Sequence, residues 1–321
     1  MPAPQLHLTF AEELAQETAL APELRAAAIA EPRYLRLGSI FHDLAYYGNM
    51  PLMAVRYGLR RPAEPSVWGY RIHYDRPDVF LACFIETAHD TEALLTYPER
   101  LAVIAGLCSH AALDLSLHPL VNFIARRDSV NGGAESHHHR LAEKYHALFY
   151  HLDARGRDLI GSADMQDKTR VTKHSSILRR AAEPAIVDLA LGSYHKMWGD
   201  APTREEWAGW VRSFAQFGMM VGHGVGGWLS RRNSLKLRTA ANREHYFQSK
   251  EFDFYDFMKA ARSRVIAIAN RAYAYYAAGD FSAAERERFV ADVAFDGTLA
   301  EPLGVHGPRL PDAPAAIDSA A

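Results

Sequence analysis

Cysteine is nearly absent from this chain. Two thiols in 321 residues, Cys83 and Cys108, sit in apolar surroundings. They cannot staple a chain of this length, which excludes a disulfide-built scaffold. An excess of charge of one sign is missing too. A formal net charge of −2 gives no basic footprint for double-stranded nucleic acid. No run reaches the ~18 uncharged apolar residues that a membrane-spanning helix needs. The nearest, 214–229, contains His223 and five glycines. The N-terminal residues lack the basic start and continuous apolar core of a secretory signal, so a cytoplasmic protein is expected. Alternating apolar and polar positions, the mark of strands, are also scarce. Only Ser66 to Tyr74 could hold a short extended piece.

What the sequence does contain is helical periodicity. Apolar residues make up 49% and charged residues 23%, ordinary values for a globular protein. Helices are expected over 12–30, 78–93, 98–117, 136–152, 176–198, 203–229, 253–278 and 282–294. Phe257, Ala260, Ala261, Val265, Ile268 and Ala272 form an apolar stripe at helical spacing, which calls for core packing. Loops are expected at 60–65, 126–134 and 199–202. From about residue 297 the chain is rich in Pro, Ala and Gly and reads as an unstructured tail. The expected organisation is one all-α domain over 1–296 and a tail over 297–321.

Histidine is plentiful, at 16 residues. Residues 109–119 read Ser-His-Ala-Ala-Leu-Asp-Leu-Ser-Leu-His-Pro. His110, Asp114 and His118 are four residues apart, twice. Each step of four turns a helical side chain by only ~40°, so the three share one face. The residues between them are small or apolar, as in a buried helix. Buried ionisable groups are costly unless paired or bound to metal, and His and Asp are usual zinc ligands. A second one-face pair is His139 and Glu143, with the choice among His137, His138 and His139 made on spacing alone. Asp43, in Phe41-His42-Asp43, stands in an apolar context that demands a partner. His73 and His7 are weaker candidates taken singly. His223 has glycines around it that allow close approach, and Arg126, Arg127, Lys168, Arg170 and Lys173 are candidate phosphate contacts.

The order is an early His, then Gly-x-x-x-x-Asp over 38–43, then a His. Ser-His-x-x-x-Asp-x-x-x-His-Pro over 109–119 and His-x-x-x-Glu over 139–143 follow. This order resembles the bacterial zinc-dependent phospholipase C family across residues 7–145. That family shares an all-helical fold and a trinuclear zinc site with the fungal single-strand-specific zinc nucleases. The resemblance implies that Asp43, His73, His110 and Asp114 hold one zinc, and that His118, His139 and Glu143 hold a second. It implies that His7 and the shared Asp114 hold a third, so two or three Zn2+ ions are expected. Phe-His-Asp departs from the family's usual Pro-Asp and adds His42 as a neighbour.

The expected activity is hydrolysis of a phosphodiester by metal-activated water. Asp114 would bridge metals, and Asp43 would act as ligand or general base. The substrate is a small-molecule or lipid phosphoester, with a soluble ester expected over a bilayer because no basic amphipathic membrane helix stands out. One alternative is an HD-type metal phosphohydrolase built on His42-Asp43, which leaves the later motifs unexplained. A di-iron oxidase would want Glu-x-x-His pairs, and the pairs here run in the reverse order. The third reading is a non-catalytic helical protein whose metals only staple the fold.

Overall fold

A computed structural model describes residues 4–48, 66–130, 132–155, 179–222 and 237–293. Among these residues there are twelve α-helices, one short 3-10 turn and a single isolated bridge, Gln248 with Asp253. The helices are α1 Pro4–Leu14, α2 Pro22–Ala30, α3 Pro32–Leu44, α4 Val67–Tyr74, α5 Pro77–Asp90 and α6 Tyr97–Ser129. They continue as α7 Glu135–Arg155, α8 Pro184–Trp198, α9 Arg204–Gly222, α10 Ala240–Tyr246, α11 Phe254–Ala278 and α12 Ala283–Val293. The 3-10 turn, Ala45–Tyr47, continues α3. The expected all-α class is therefore what the chain adopts.

Helix starts are written in the sequence as prolines. α2, α3, α5, α6 and α8 each carry Pro in the first helical positions, where its missing N–H costs nothing. α6 adds a capping box, with Thr96 and Glu99 each satisfying the other's backbone N–H. α8 stops at Gly199, whose φ of 68° is in the left-handed region that glycine reaches freely.

Four expectations are corrected. The single helix expected over 12–30 is two, because Pro22 starts a new helix and holds Ala21 extended (φ −48°, ψ 133°). The first of them begins at Pro4 and so carries His7, which was expected before any helix. The extended piece at 66–74 is instead α4. Ser66 caps it by accepting from the Trp68 N–H, and Trp68 and Ile72 bury one turn apart on one face. The helix expected to end at Leu117 runs through Pro119 to Ser129, absorbing the start of the expected 126–134 loop. Leu117, Leu120, Val121, Phe123 and Ile124 are all buried beyond the motif, and that packing outweighs proline's cost inside a helix. The expected loop at 60–65 and the tail at 297–321 lie outside the described residues, as do His223, Lys168, Arg170 and Lys173.

α6 is the axis of the molecule. α1, α2, α3, α7 and α11 all pack against it. It is long and apolar enough to cross a membrane by length and composition alone, yet 83% of its most apolar window is buried within the fold. One hydrophobic cluster runs from Leu6 to Val293, and Cys83 and Cys108 are free, buried thiols. α3 and α6 approach closely at Gly38 and Gly106. A methyl group on Gly106 would lie 2.1 Å from the Leu35 carbonyl oxygen and 2.8 Å from the Gly38 Cα. Only glycine permits that approach.

Candidate metal centre

The four-residue stripe of α6 faces three other helices and the end of α3, and their side chains converge on it in three groups. The first joins Asp43 from the end of α3, His73 from α4 and His110 from α6. The second joins His7 from α1 with His110 and Asp114. The third joins His118 from α6 with His139 and Glu143 from α7. Within each group one ligand atom per residue lies within 4.8 Å of the others. All eight candidates from the sequence fall in these groups.

Asp114 stands between them. Its Oδ1 is 3.3 Å from His7 Nε2 and 3.9 Å from His118 Nε2. Its Oδ2 is 3.2 Å from His110 Nε2 and 3.9 Å from His73 Nε2. Asp43 Oδ1 lies 3.6 Å from His73 Nε2 and 4.0 Å from His110 Nε2. His139 Nε2 lies 2.9 Å from Glu143 Oε1.

The surrounding structure aims these rings. His110 Nδ1–H donates to the Ser39 carbonyl at 2.9 Å, and His73 Nδ1–H donates to the Gly69 carbonyl at 2.8 Å. His139 Nδ1–H donates to Asn122 Oδ1 at 3.1 Å. An oxygen acceptor on Nδ1 places the proton there and leaves the Nε2 lone pair for the centre.

Several of the converging atoms are buried and make no hydrogen bond: both nitrogens of His7, both oxygens of Asp43, His110 Nε2, Asp114 Oδ1 and His118 Nε2. Folded proteins rarely tolerate such atoms, because each carries a desolvation penalty. Here they point at one another in groups, so that shared cations would satisfy them together. Imidazole and carboxylate are a donor set that zinc accepts, and the residues present fit that metal.

The electrostatics agree. Burial alone would raise the carboxyls of Asp114 and Asp43, but the charge of His110 and the neighbouring histidines outweighs it and holds both below their usual range. Burial also pushes down His7 and His118. His110 goes the other way. Asp114 and Asp43 overcome its burial and raise it to about 9. The centre thus keeps its carboxylates ionised across neutral pH.

Of the three adjacent histidines, the structure brings His139 into a donor group. His137 is exposed, and His138 Nε2–H donates to the Gly132 carbonyl at 3.0 Å, while His139 joins the group. The arginines proposed for phosphate are engaged elsewhere. Arg127 bonds Asp128, Glu251 and the His245 carbonyl, and Arg126 lies 3.6 Å from Glu135. Sequence reasoning missed Asn122, although it is the next four-residue step after His118 on the same stripe.

The family model for zinc dependent phospholipase C matches residues 6–207, from α1 into α9 and well beyond the 7–145 suggested by the motifs. No curated protein and no solved structure matches the chain. All three side-chain groups lie inside the matched span, which covers more than half of the sequence, and the chain belongs to the zinc-dependent phospholipase C family.

Proposed function

We propose that the protein is a zinc-dependent phosphodiester hydrolase of the phospholipase C type. The observation that carries this reading is Asp114, whose two oxygens reach toward donors of all three groups. Zinc bound there supplies a Lewis acid for phosphoryl oxygens and lowers the pKa of a bound water toward neutrality. The chain's own residues do the rest. Asp114 fixes the spacing of the groups, and the carbonyls of Ser39 and Gly69 fix the rings of His110 and His73. Asp43, buried with neither oxygen in a hydrogen bond, would serve as a ligand in the first group or as the base that takes the proton of the attacking water.

The substrate class is a phosphodiester, and family membership puts a phospholipid first among them. The test is zinc-loaded protein against phosphatidylcholine vesicles and a water-soluble phosphodiester in parallel. Turnover of either supports the reading, and the ratio identifies the substrate, including the soluble ester expected from the sequence. Inactivity on both by protein carrying its full zinc complement would favour metals that only staple the fold. Asp114→Ala in an active wild-type background should lower turnover by at least about 100-fold, the equivalent of a few kcal/mol of lost charge stabilisation.

A further inference from the structure

His42 is a member of none of the three donor groups, yet it is 4% exposed in their midst. Its ring lies 4.6 Å from that of His110 at an interplanar angle of 15°. It meets His73 edge-on at 5.6 Å and Phe80 edge-on at 5.9 Å. His110 also stacks on His7, at 4.0 Å and 10°. Two rings cannot share one face at these distances, so His110 is the middle of three near-parallel imidazoles. The arrangement follows from the glycine contact. His42 is one turn beyond Gly38 on α3, and His110 is one turn beyond Gly106 on α6. The approach that removes two Cβ atoms brings the next turn of each helix to ring-stacking distance.

The stack supplies something the hydrogen bonds do not. The bond from His110 Nδ1–H to the Ser39 carbonyl fixes one point of the ring but allows it to swing about that axis. A ring pressed on each face removes the swing. We infer that His42 is a positioning residue: with His7 it fixes the plane of the His110 ring, and so the direction in which Nε2 meets Asp43 and His73. The inference rests on the metal reading above. It belongs to this chain, because the family's usual proline before the aspartate has no flat ring to offer.

The experiment is zinc competition against a chromogenic chelator, at fixed pH, with cobalt absorption as a second readout of ligand geometry. Wild type, His42→Ala and His42→Phe are compared. His42→Ala should weaken one zinc by about 10- to 100-fold, the usual effect of losing a group that orients a ligand, and alter the cobalt bands. His42→Phe, which restores a flat ring beside Phe80, should return affinity to within a few-fold of wild type. If His42→Ala does not fold, His42→Leu, which fills the space without a flat ring, takes its place. Equal weakening in the Ala and Phe variants would overturn the inference, since a ring nitrogen would then be required. Unchanged affinity in both would also overturn it, leaving His42 as packing alone. A wild-type chain that takes up no zinc would sink the metal reading itself, and this one with it.

Discussion

At the scale of residues, a carboxylate shared between clusters must behave differently from one that serves a single cluster. Asp114→Asn keeps the side chain's volume and removes its charge. It should lower bound zinc, measured by elemental analysis, by more than one ion per chain, while Glu143→Gln affects only the His118–His139 group. Equal losses would show that Asp114 serves one group only. Asn122 gives a second test. Asn122→Leu leaves His139 Nδ1 without its acceptor and should weaken that group's zinc by about 10- to 100-fold. His110 gives the pH dependence. Its value in the metal-free fold is raised from 6.5 to about 9, and zinc must displace that proton. Zinc uptake at pH 7 should therefore release a proton from His110, and apparent affinity should climb with pH until about 9. Calorimetry in two buffers of different ionisation enthalpy would detect it. For metal-free folding the sign is the reverse. A raised folded value stabilises fully below the unfolded value near 6.5, and the contribution is lost as pH rises through 9. Urea midpoints of chelator-treated protein that do not fall over that window would contradict the assignment. His110, Asp114, His118, His139, Glu143 and Asp43 were legible because a four-residue step and a carboxylate in an apolar context are local facts, whereas His7 and His73 entered only through the family resemblance. His42 and Asn122 were not legible, because ring planes and acceptors 17 residues away (Asn122 and His139) are set by packing between helices.

At the scale of elements, the centre depends on how closely α3 and α6 approach. Gly106→Ala would place a methyl 2.1 Å from a backbone oxygen, and Gly38→Ala one 2.2 Å from the Val103 carbonyl. Neither partner is a flexible side-chain end, so the helices must part. Either variant should lose about 2 kcal/mol or more of stability, and weaken zinc binding because the Ser39 carbonyl and Asp43 move with α3. Gly209→Ala in α9 is the control. Nothing lies within 4 Å of its added methyl, so it should be neutral or stabilise by about 0.5–1 kcal/mol. Thermal melts with and without zinc check both. Destabilisation by Gly209→Ala as large as by Gly106→Ala would show that the close approach is not what matters. Elements were legible where a start signal was read, as at Pro98 and Ser282, but Pro22, Pro32 and Pro184 mark starts equally well and were passed over, so α3 was not expected at all. They were misread where tertiary packing outvoted a local signal. α4 looked extended because aromatic and branched residues crowd it, and α6 looked finished at Pro119, although buried residues on both sides carry it through.

At the scale of the whole molecule, the motifs end at Glu143 and the family match at residue 207, but the core does not. α11 packs along α6 and buries Phe254, Phe257, Met258, Ala261, Val265 and Ile268. Burying one large apolar side chain contributes about 1.5–3 kcal/mol, so the five here besides Ala261 are comparable with the entire net stability of a domain. α12 and α8 are tied in by Glu86 of α5. It is 1% exposed and accepts from Tyr275 of α11, Arg286 of α12 and Lys196 of α8. Among the described residues of this half, no group of three or more metal-ligand side chains comes together. α11 packs against α5 and α6, and α12 against α5, and α6 carries three of the donors. A chain ending at residue 207 should therefore fail to fold cooperatively and fail to hold zinc, even though every candidate ligand is present. A chain ending at residue 296, which keeps α12, should melt where the 321-residue chain does and carry the same zinc. Circular dichroism melts and elemental analysis of the two truncations decide the matter. A 1–207 chain that melts cooperatively with its zinc in place would show that the matched span is autonomous and that α11 only decorates it.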